Sequence, residues 1–397
     1  MLQYRDGVLC VEGVPLREIA HRVGTPVYVY SLDEITRRVR AYQEAFPNAL
    51  IAYACKANLN RALLAHVARL GCGADVVSAG ELAAALAAGI PPRRIVLNGN
   101  AKTDEEIAQA LQVGVRVINL DAREEIARVA RIAQERNCTA TVALRINPGL
   151  AAETHPHLQV GAAGSHFGIP PEDVLPAAEA VRRHSHLRLW GVHVHVGSQL
   201  CSLADLEVVA QIAAEWTRRL QSTGVALEGI NLGGGLGIRY DGRPSPTPQE
   251  VARRWHAHLA PLSLPLILEP GRWLVGPAGV LLVRVVQVKR AWGRTIVAVD
   301  GGMNVLLRPA LYGAYHRIWP VVQSDTTFPV DVVGPICEST DVLGRNCPLP
   351  CLKNGDFLAI LDVGAYGRSM ASTYNGRPLP PEVVVSGTKW SVVPPGG

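Results

Sequence analysis

The sequence predicts an α/β fold, a (β/α)8 barrel followed by an all-β unit, and three features of the chain support this. Short apolar runs alternate with amphipathic runs eight times between about residues 27 and 274. The apolar runs are rich in β-branched residues or leucine and lack polar alternation, as expected of parallel strands buried on both faces. After residue 275, helical periodicity nearly vanishes and turns containing Gly, Pro or Asn separate strand-like runs. Counting strands leaves an open doubly wound sheet as the alternative.

The elements follow from this alternation in chain order. The eight candidate barrel strands are residues 50–53, 74–77, 95–97, 115–120, 141–146, 189–196, 230–232 and 266–268. The helical spacing between them predicts helices at 62–69, 80–88, 103–112, 123–135, 171–183, 203–221 and 248–259. The all-β part has candidate strands at 280–289, 295–299, 328–333, 357–361 and 382–385. We therefore expect a barrel domain at 27–274 and a β domain formed by 1–26 and 275–397.

Composition excludes several classes of function. The net charge is only +5, and no block of Lys and Arg forms a nucleic-acid footprint. No apolar run reaches the ~20 residues of a membrane span, and the first residues lack the pattern of a signal peptide. The eight cysteines form no CxxC pair, so we expect reduced thiols and no metal site. These features predict a cytoplasmic protein that binds neither nucleic acid nor membranes.

Lys56 is the most informative residue at the predicted active-site rim. In a barrel the active site lies at the C-terminal ends of the strands, and Lys56 follows the first strand. An amine removed from water loses its charge more easily and can attack a carbonyl group as a nucleophile. A lysine on a surface loop is the alternative. The chain has only five candidates for such a role, Lys56, Lys102, Lys289, Lys353 and Lys389.

The ends of strands six to eight supply complementary groups. A glycine triplet at 233–235 follows strand seven, where backbone N–H groups of a barrel commonly bind phosphate, although a plain tight turn is the alternative. Glu269 ends strand eight and could face a heterocyclic nitrogen, or could simply pair with Arg272. His195 could stack on a flat ring, or be an ordinary rim histidine. An amine, a phosphate site, a carboxylate and an imidazole together match the parts of pyridoxal phosphate.

Seven longer motifs resemble the fold-type III pyridoxal-phosphate decarboxylases. They are YACKAN at 53–58, HVGSQ at 195–199, GGG at 233–235, EPGR at 269–272, DGGMNVLLRPALYGAYH at 300–316, GPICESTD at 334–341 and GAYGRSMASTYNGRP at 364–378. The resemblance implies a carboxy-lyase with an eight-stranded α/β barrel and a C-terminal β domain. It also implies a homodimer whose active sites lie at the subunit interface.

The resemblance assigns a role to each residue of the cofactor site. Lys56 would hold pyridoxal 5'-phosphate as a Schiff base, His195 would stack on its ring, and Glu269 would face its pyridine nitrogen. The phosphate would be bound by residues in the glycine-rich and neighbouring segments, namely Ser198, Gly235, Gly271, Arg272 and Tyr366.

The resemblance also implies an amino-acid site. Arg272, Arg308 and Tyr312 would hold the carboxylate of the substrate centre that does not react, with Tyr366 close by. Cys337 of the neighbouring subunit would donate the proton, and Glu338 would pair with the far ammonium group. The similarity is closest to the branch that converts meso-2,6-diaminopimelate to L-lysine, the last step of lysine biosynthesis. The alternative is another amino acid, such as ornithine or lysine, or a carrier- or citrate-linked one.

Overall fold

The computed structural model describes residues 1–149, 161 and 164–394, and contains a closed eight-stranded parallel barrel and a nine-stranded sheet. The barrel closes because its last strand in the chain pairs with its first, with Ile267 opposite Leu50. This closure confirms the predicted fold and excludes the open doubly wound sheet.

The N-terminal segment belongs with the β unit rather than with the barrel. Its first three strands, β1 (Leu2–Arg5), β2 (Val8–Val11) and β3 (Val14–Pro15), form a small antiparallel sheet. Helix α1 (Leu16–Val23) leads to β4 (Val27–Ser31), which lies inside the nine-stranded sheet with all five residues buried. The predicted boundary at residue 27 is therefore wrong for this strand. Its apolar run fits either unit, and only its pairing partners assign it to the β sheet.

The barrel strands lie where the apolar runs predicted them. Helix α2 (Leu32–Ala45) precedes them. The strands are β5 (Leu50–Ala54), β6 (Gly73–Val76), β7 (Ile95–Leu97), β8 (Val117–Leu120), β9 (Ala140–Ile146), β10 (Leu187–Val194), β11 (Gly229–Asn231) and β12 (Leu266–Leu268). All neighbouring strands pair in parallel, so their C-terminal ends meet at one rim.

Seven helices of the described chain connect the barrel strands. They are α3 (Arg61–Arg69), α4 (Ala79–Ala87), α5 (Asp104–Val113), α6 (Glu125–Glu135), α7 (Pro171–Arg182), α8 (Leu203–Ser222) and α9 (Pro248–Leu259). Two of them begin with a capping box, formed by Thr103 with Glu106 and by Thr247 with Glu250. These reciprocal bonds satisfy backbone N–H groups that the first helical turn leaves unpaired.

The other eight strands of the nine-stranded sheet follow the short helix α10 (Arg272–Val275). They are β13 (Gly279–Ala291), β14 (Arg294–Val299), β15 (Ile318–Pro320), β16 (Phe328–Val333), β17 (Val342–Leu349), β18 (Phe357–Leu361), β19 (Glu382–Ser386) and β20 (Lys389–Val393), with helix α11 (Arg308–Tyr312) between β14 and β15. The sequence missed β15, β17 and β20. In β17, Gly344 and Pro348 argue against a strand, but β17 is at the sheet edge, where proline is tolerated. None of the described helices is long and apolar enough to cross a bilayer.

The core of the second sheet provides a test of its stability. Leu281 in β13 is fully buried, so we expect Leu281→Ala to lower the free energy of unfolding by about 2–5 kcal/mol. Val286 on the same strand is 51% exposed, and Val286→Ala is expected to cost less than about 0.5 kcal/mol. Denaturant unfolding measures both, and losses of equal size would contradict the packing described.

Candidate active site

One cavity at the C-terminal rim of the barrel contains most of the residues that the sequence singled out. Its volume is about 210 Å³, and larger hollows elsewhere on the surface do not bring the same groups together. Ten of the twelve predicted site residues line it, namely Lys56, His195, Ser198, Gly235, Glu269, Gly271, Arg272, Arg308, Tyr312 and Tyr366. The other two, Cys337 and Glu338, do not line it.

Lys56 reaches the cavity because the chain turns sharply after β5. The residues Cys55–Ala57 form a 3-10 turn, and the Tyr366 N–H donates to the Ala57 carbonyl at 2.8 Å. The Lys56 side chain is 42% exposed, and its Nζ lies 2.8 Å from Oδ2 of the buried Asp75. The Lys56 amine therefore lines the cavity and contacts a buried carboxylate, which favours the active-site interpretation over a lysine on a surface loop.

Asp75 changes the expected charge of the Lys56 amine. Burial lowers the pKa of Lys56, as the sequence suggested, but the Coulombic attraction of Asp75, followed by Tyr366 and Glu269, reverses this and raises the pKa overall. The expectation of an easily neutralised amine is thus wrong for the protein without cofactor. Sequence reasoning assigned no role to Asp75, since nothing in the spacing of 19 residues links it to Lys56.

Glu269 is held by amides and a histidine, not by Arg272. Its Oε1 accepts hydrogen bonds from Asn98 Nδ2 at 2.9 Å and Asn231 Nδ2 at 2.7 Å, and its Oε2 lies 3.4 Å from His193 Nε2. Burial raises the pKa of Glu269, but His193, Lys56 and Asn231 outweigh burial and hold it well below its usual range. Glu269 is therefore an anion that faces the cavity, and the structural alternative of a pair with Arg272 is wrong for the described chain.

The glycine triplet brings backbone without side chains to the cavity, which Gly234 and Gly235 line. Gly233 and Gly235 have φ angles of 59° and 113°, and a Cβ on Gly234 would lie 2.3 Å from the Glu269 carbonyl oxygen. No side chain fits at these positions. The Gly234 N–H donates to His195 Nδ1 at 3.3 Å. Burial, together with Arg145 and Lys56, lowers the pKa of His195 to about 3, so its ring is neutral.

Arg272 and Arg308 are buried cations without a carboxylate partner among the described residues. They are only 5% and 4% exposed, and the Nε atom of each is buried without a hydrogen-bond acceptor. Arg272 donates to the hydroxyls of Tyr240 at 2.8 Å and Ser198 at 3.1 Å, and its guanidinium lies 4.7 Å from the Tyr366 ring centre. Because an uncompensated buried charge is costly, this wall of the cavity is complementary to anions.

These groups fit pyridoxal phosphate with an amino-acid substrate. The backbone of Gly234 and Gly235, which has no side chain in the way, suits a phosphate together with Arg272. Glu269 suits a protonated ring nitrogen, and the Lys56 amine suits an aldehyde. Arg308 is then left to bind a second anionic group, such as a carboxylate of the substrate. Tyr366 has φ of 57°, an uncommon conformation for a residue other than glycine, which is typical of functional sites.

Cys337 and Glu338 lie on an exposed loop outside the cavity. The Cys337 N–H donates to Asn375 Oδ1 at 3.2 Å, and the Tyr374 hydroxyl donates to Glu338 Oε1 at 2.7 Å. Both side chains are therefore available to a second protein molecule, while neither contributes to the cavity of its own chain.

Comparison with known proteins gives a consistent result. The family model "Pyridoxal-dependent decarboxylase, pyridoxal binding domain" matches residues 32–276. The diaminopimelate decarboxylase of Zymomonas mobilis subsp. mobilis is 43% identical, with 98% of this chain and 94% of that protein covered. The diaminopimelate decarboxylase of Archaeoglobus fulgidus is 42% identical, with 99% and 95% covered.

Solved structures of similar proteins agree over nearly the whole chain. The diaminopimelate decarboxylase from M. jannaschii in complex with L-lysine has a TM-score of 0.95 at 37% identity, and covers 99% of this chain and 94% of its own. The Helicobacter pylori diaminopimelate decarboxylase complexed with L-lysine has a TM-score of 0.92 at 38% identity, with 95% of each chain covered.

The contact between Lys56 and Asp75 gives a prediction for cofactor-free protein. Only the neutral amine attacks an aldehyde, and Asp75→Asn removes the main cause of the raised Lys56 pKa. We expect covalent attachment of pyridoxal phosphate near pH 7 to become faster, by about tenfold for each unit of pKa lost. Absorbance after mixing measures the rate, with Asp104→Asn, at an exposed carboxylate, as the control. An unchanged or slower rate for Asp75→Asn would contradict this interpretation.

Proposed function

Because the chain belongs to the pyridoxal-dependent decarboxylase family, we propose that it converts meso-2,6-diaminopimelate to L-lysine and CO2 with pyridoxal 5'-phosphate. The observation that carries this proposal is the pair of uncompensated arginines, Arg272 and Arg308, in the cavity that also contains Lys56. A substrate with two carboxylates loses one as CO2 and retains the other. The retained carboxylate needs a cation to bind it. Ornithine has no second carboxylate, so its decarboxylation would leave Arg308 without an anion.

Different residues of the cavity would bind different parts of the cofactor. When bound, pyridoxal phosphate supplies an electron-withdrawing protonated ring beside the carbon that loses CO2. Lys56 would hold its aldehyde carbon, and Glu269, anionic in the cavity, would keep the proton on the ring nitrogen. The neutral His195 ring would stack on the cofactor ring. Ser198, Gly235, Gly271, Arg272 and Tyr366 would hold the phosphate.

Arg308, Arg272 and Tyr312 bind and orient the substrate. A guanidinium can donate two parallel hydrogen bonds to a carboxylate, which fixes the direction of the far end of the substrate. Tyr366 lines the same cavity, with its ring centre 4.7 Å from the Arg272 guanidinium, and would contact both cofactor and substrate. Orientation of this kind places the bond to the departing carboxylate in a fixed position relative to the ring.

A second copy of the chain completes the site. Cys337 donates the proton that replaces CO2, and Glu338 pairs with the far ammonium group, both from the partner subunit. Two observations support a homodimer: these side chains are exposed outside their own cavity, and exposed apolar residues accompany the site segments. The latter are Leu311 (46% exposed), Tyr315 (57%) and Tyr374 (46%).

We also propose a cytoplasmic location, supported by eight cysteines without a disulfide.

One experiment tests both the choice of substrate and the assignment of Lys56 as the residue that binds the cofactor. Purified protein with pyridoxal phosphate is given meso-diaminopimelate, L-ornithine or L-lysine, and CO2 release is measured. We expect release from diaminopimelate alone, and we expect Lys56→Ala to abolish both turnover and the visible absorbance of attached cofactor. Lys353→Ala, at an exposed lysine of the β unit, is the matched control. Preferential release from ornithine or lysine would establish the alternative function, and a retained absorbance band in Lys56→Ala would refute the lysine assignment.

The shared active site is tested by complementation between subunits. Lys56→Ala and Cys337→Ala, each inactive alone, are expected to regain activity when coexpressed, because a hybrid dimer contains one site with both residues intact. Lys56→Ala coexpressed with Arg308→Ala is the control. Those residues line the same cavity of one chain, so no hybrid has an intact site. Failure of the first pair to recover activity would place Cys337 outside the partner's site.

A further inference from the structure

His316 ends the motif at 300–316 and has no role in the reaction as proposed above. It is 1% exposed and lies between Arg308 and strand β18. Its Nε2 is 2.7 Å from Arg308 Nη1, and its Nδ1 is 2.8 Å from the carbonyl oxygen of Leu361. Both ring nitrogens are therefore engaged.

These two contacts require one protonation state of the ring. A guanidinium can only donate hydrogen bonds, so Nε2 must accept from Arg308. A carbonyl oxygen can only accept, so Nδ1 must carry the hydrogen and donate to Leu361. The neutral tautomer with hydrogen on Nδ1 satisfies both. In agreement, burial and the charge of Arg308 lower the pKa of His316 to about 3.

The surroundings of Arg308 supply no negative charge among the described residues, because its charged neighbour in the cavity is Arg272, also a cation, and its other contacts are uncharged. The guanidinium lies 4.4 Å from the ring centre of Tyr240, and the His316 ring packs against the same tyrosine at 4.9 Å with an interplanar angle of 71°. No described carboxylate lies within 4 Å of Arg308. A carboxylate at position 316 would fix the guanidinium equally well, but it would neutralise the charge that a ligand needs.

We propose that His316 is a positioning residue that directs Arg308 toward the far carboxylate of the substrate while leaving its positive charge uncompensated. The inference rests on the proposed function, since it takes Arg308 as the group that binds that carboxylate. It adds a residue that touches neither substrate nor cofactor and acts only through Arg308.

Two ligands separate this role from a general effect on the cavity. L-lysine retains the carboxylate of the centre that does not react, whereas cadaverine is the same diamine chain without it. A weakened Arg308 lowers the affinity for L-lysine and leaves that for cadaverine unchanged. A distorted cavity lowers both. Calorimetry on the cofactor-loaded protein gives the two dissociation constants directly.

Two substitutions separate the two hydrogen bonds of His316. In His316→Asn, the side-chain amide can still donate to the Leu361 carbonyl, but no atom reaches the place of Nε2. In His316→Gln, the amide oxygen lies as many bonds from Cα as Nε2 does and can accept from Arg308. The first variant is the test and the second is the rescue.

We expect His316→Asn to raise the dissociation constant of L-lysine about tenfold or more, the usual effect of losing a hydrogen bond to a charged group, with cadaverine unchanged. The KM for diaminopimelate should rise in parallel, with a smaller change in kcat. His316→Gln should restore most of the L-lysine affinity. An unchanged L-lysine affinity in His316→Asn, an equal loss for cadaverine, or an equal loss in both variants would overturn the proposal.

Failure of the proposed function gives a different result. Wild-type protein that binds neither ligand and releases no CO2 from diaminopimelate refutes the function itself.

If His316→Asn does not fold, nitrogen-15 NMR of histidine-labelled wild-type protein provides a second test of the proposal. The signal that disappears in His316→Gln is the signal of His316. An unprotonated Nε2 on His316 supports the proposal, and a protonated Nε2 refutes it.

Discussion

The positive charge of Arg272 and Arg308, buried without a carboxylate among the described residues, is the constraint on which the rest of the site depends. A guanidinium out of water needs its donors satisfied and its charge balanced. Here Tyr240, Ser198 and His316 satisfy part of the donors, and the surrounding aromatic rings supply only weak electrostatic compensation. The balancing charge must come from ligands. We infer that the phosphate and the far substrate carboxylate provide it.

The acidic groups of the site have the complementary arrangement. Asp75 and Glu269 are both buried, and the Asn98 side-chain amide donates to both, at 2.7 and 2.9 Å. The Lys56 amine contacts Asp75. Its positive charge, which the amine must lose before it attacks the aldehyde of a cofactor, is therefore stabilised by that carboxylate. Because the acidic groups come from barrel strands and Arg308 comes from the β unit, the two units must pack together for the cavity to have both a basic wall and an acidic one.

Much of the fold and part of the site could be predicted from the sequence. Unbroken apolar runs separated by helical spacing indicated the eight barrel strands, because strands covered on both faces carry no polar alternation. A parallel barrel brings all strand ends to one rim, so Lys56 and Glu269, 213 positions apart by their numbers, could be expected in one pocket. The motif resemblance added Arg308 and Tyr366, which periodicity alone does not link to the barrel.

The sequence by itself determined the order of strands and helices and the residue types at the rim, since both follow from local pattern and strand direction. Only the tertiary structure decided which sheet holds Val27–Ser31, that Asp75 raises the pKa of Lys56, that Glu269 is held by His193 rather than Arg272, and that His316 contacts Arg308. Each of these depends on distances between side chains brought together by folding. A Coulombic or hydrogen-bonded contact of 3 Å has no signature in the spacing of residues along the chain.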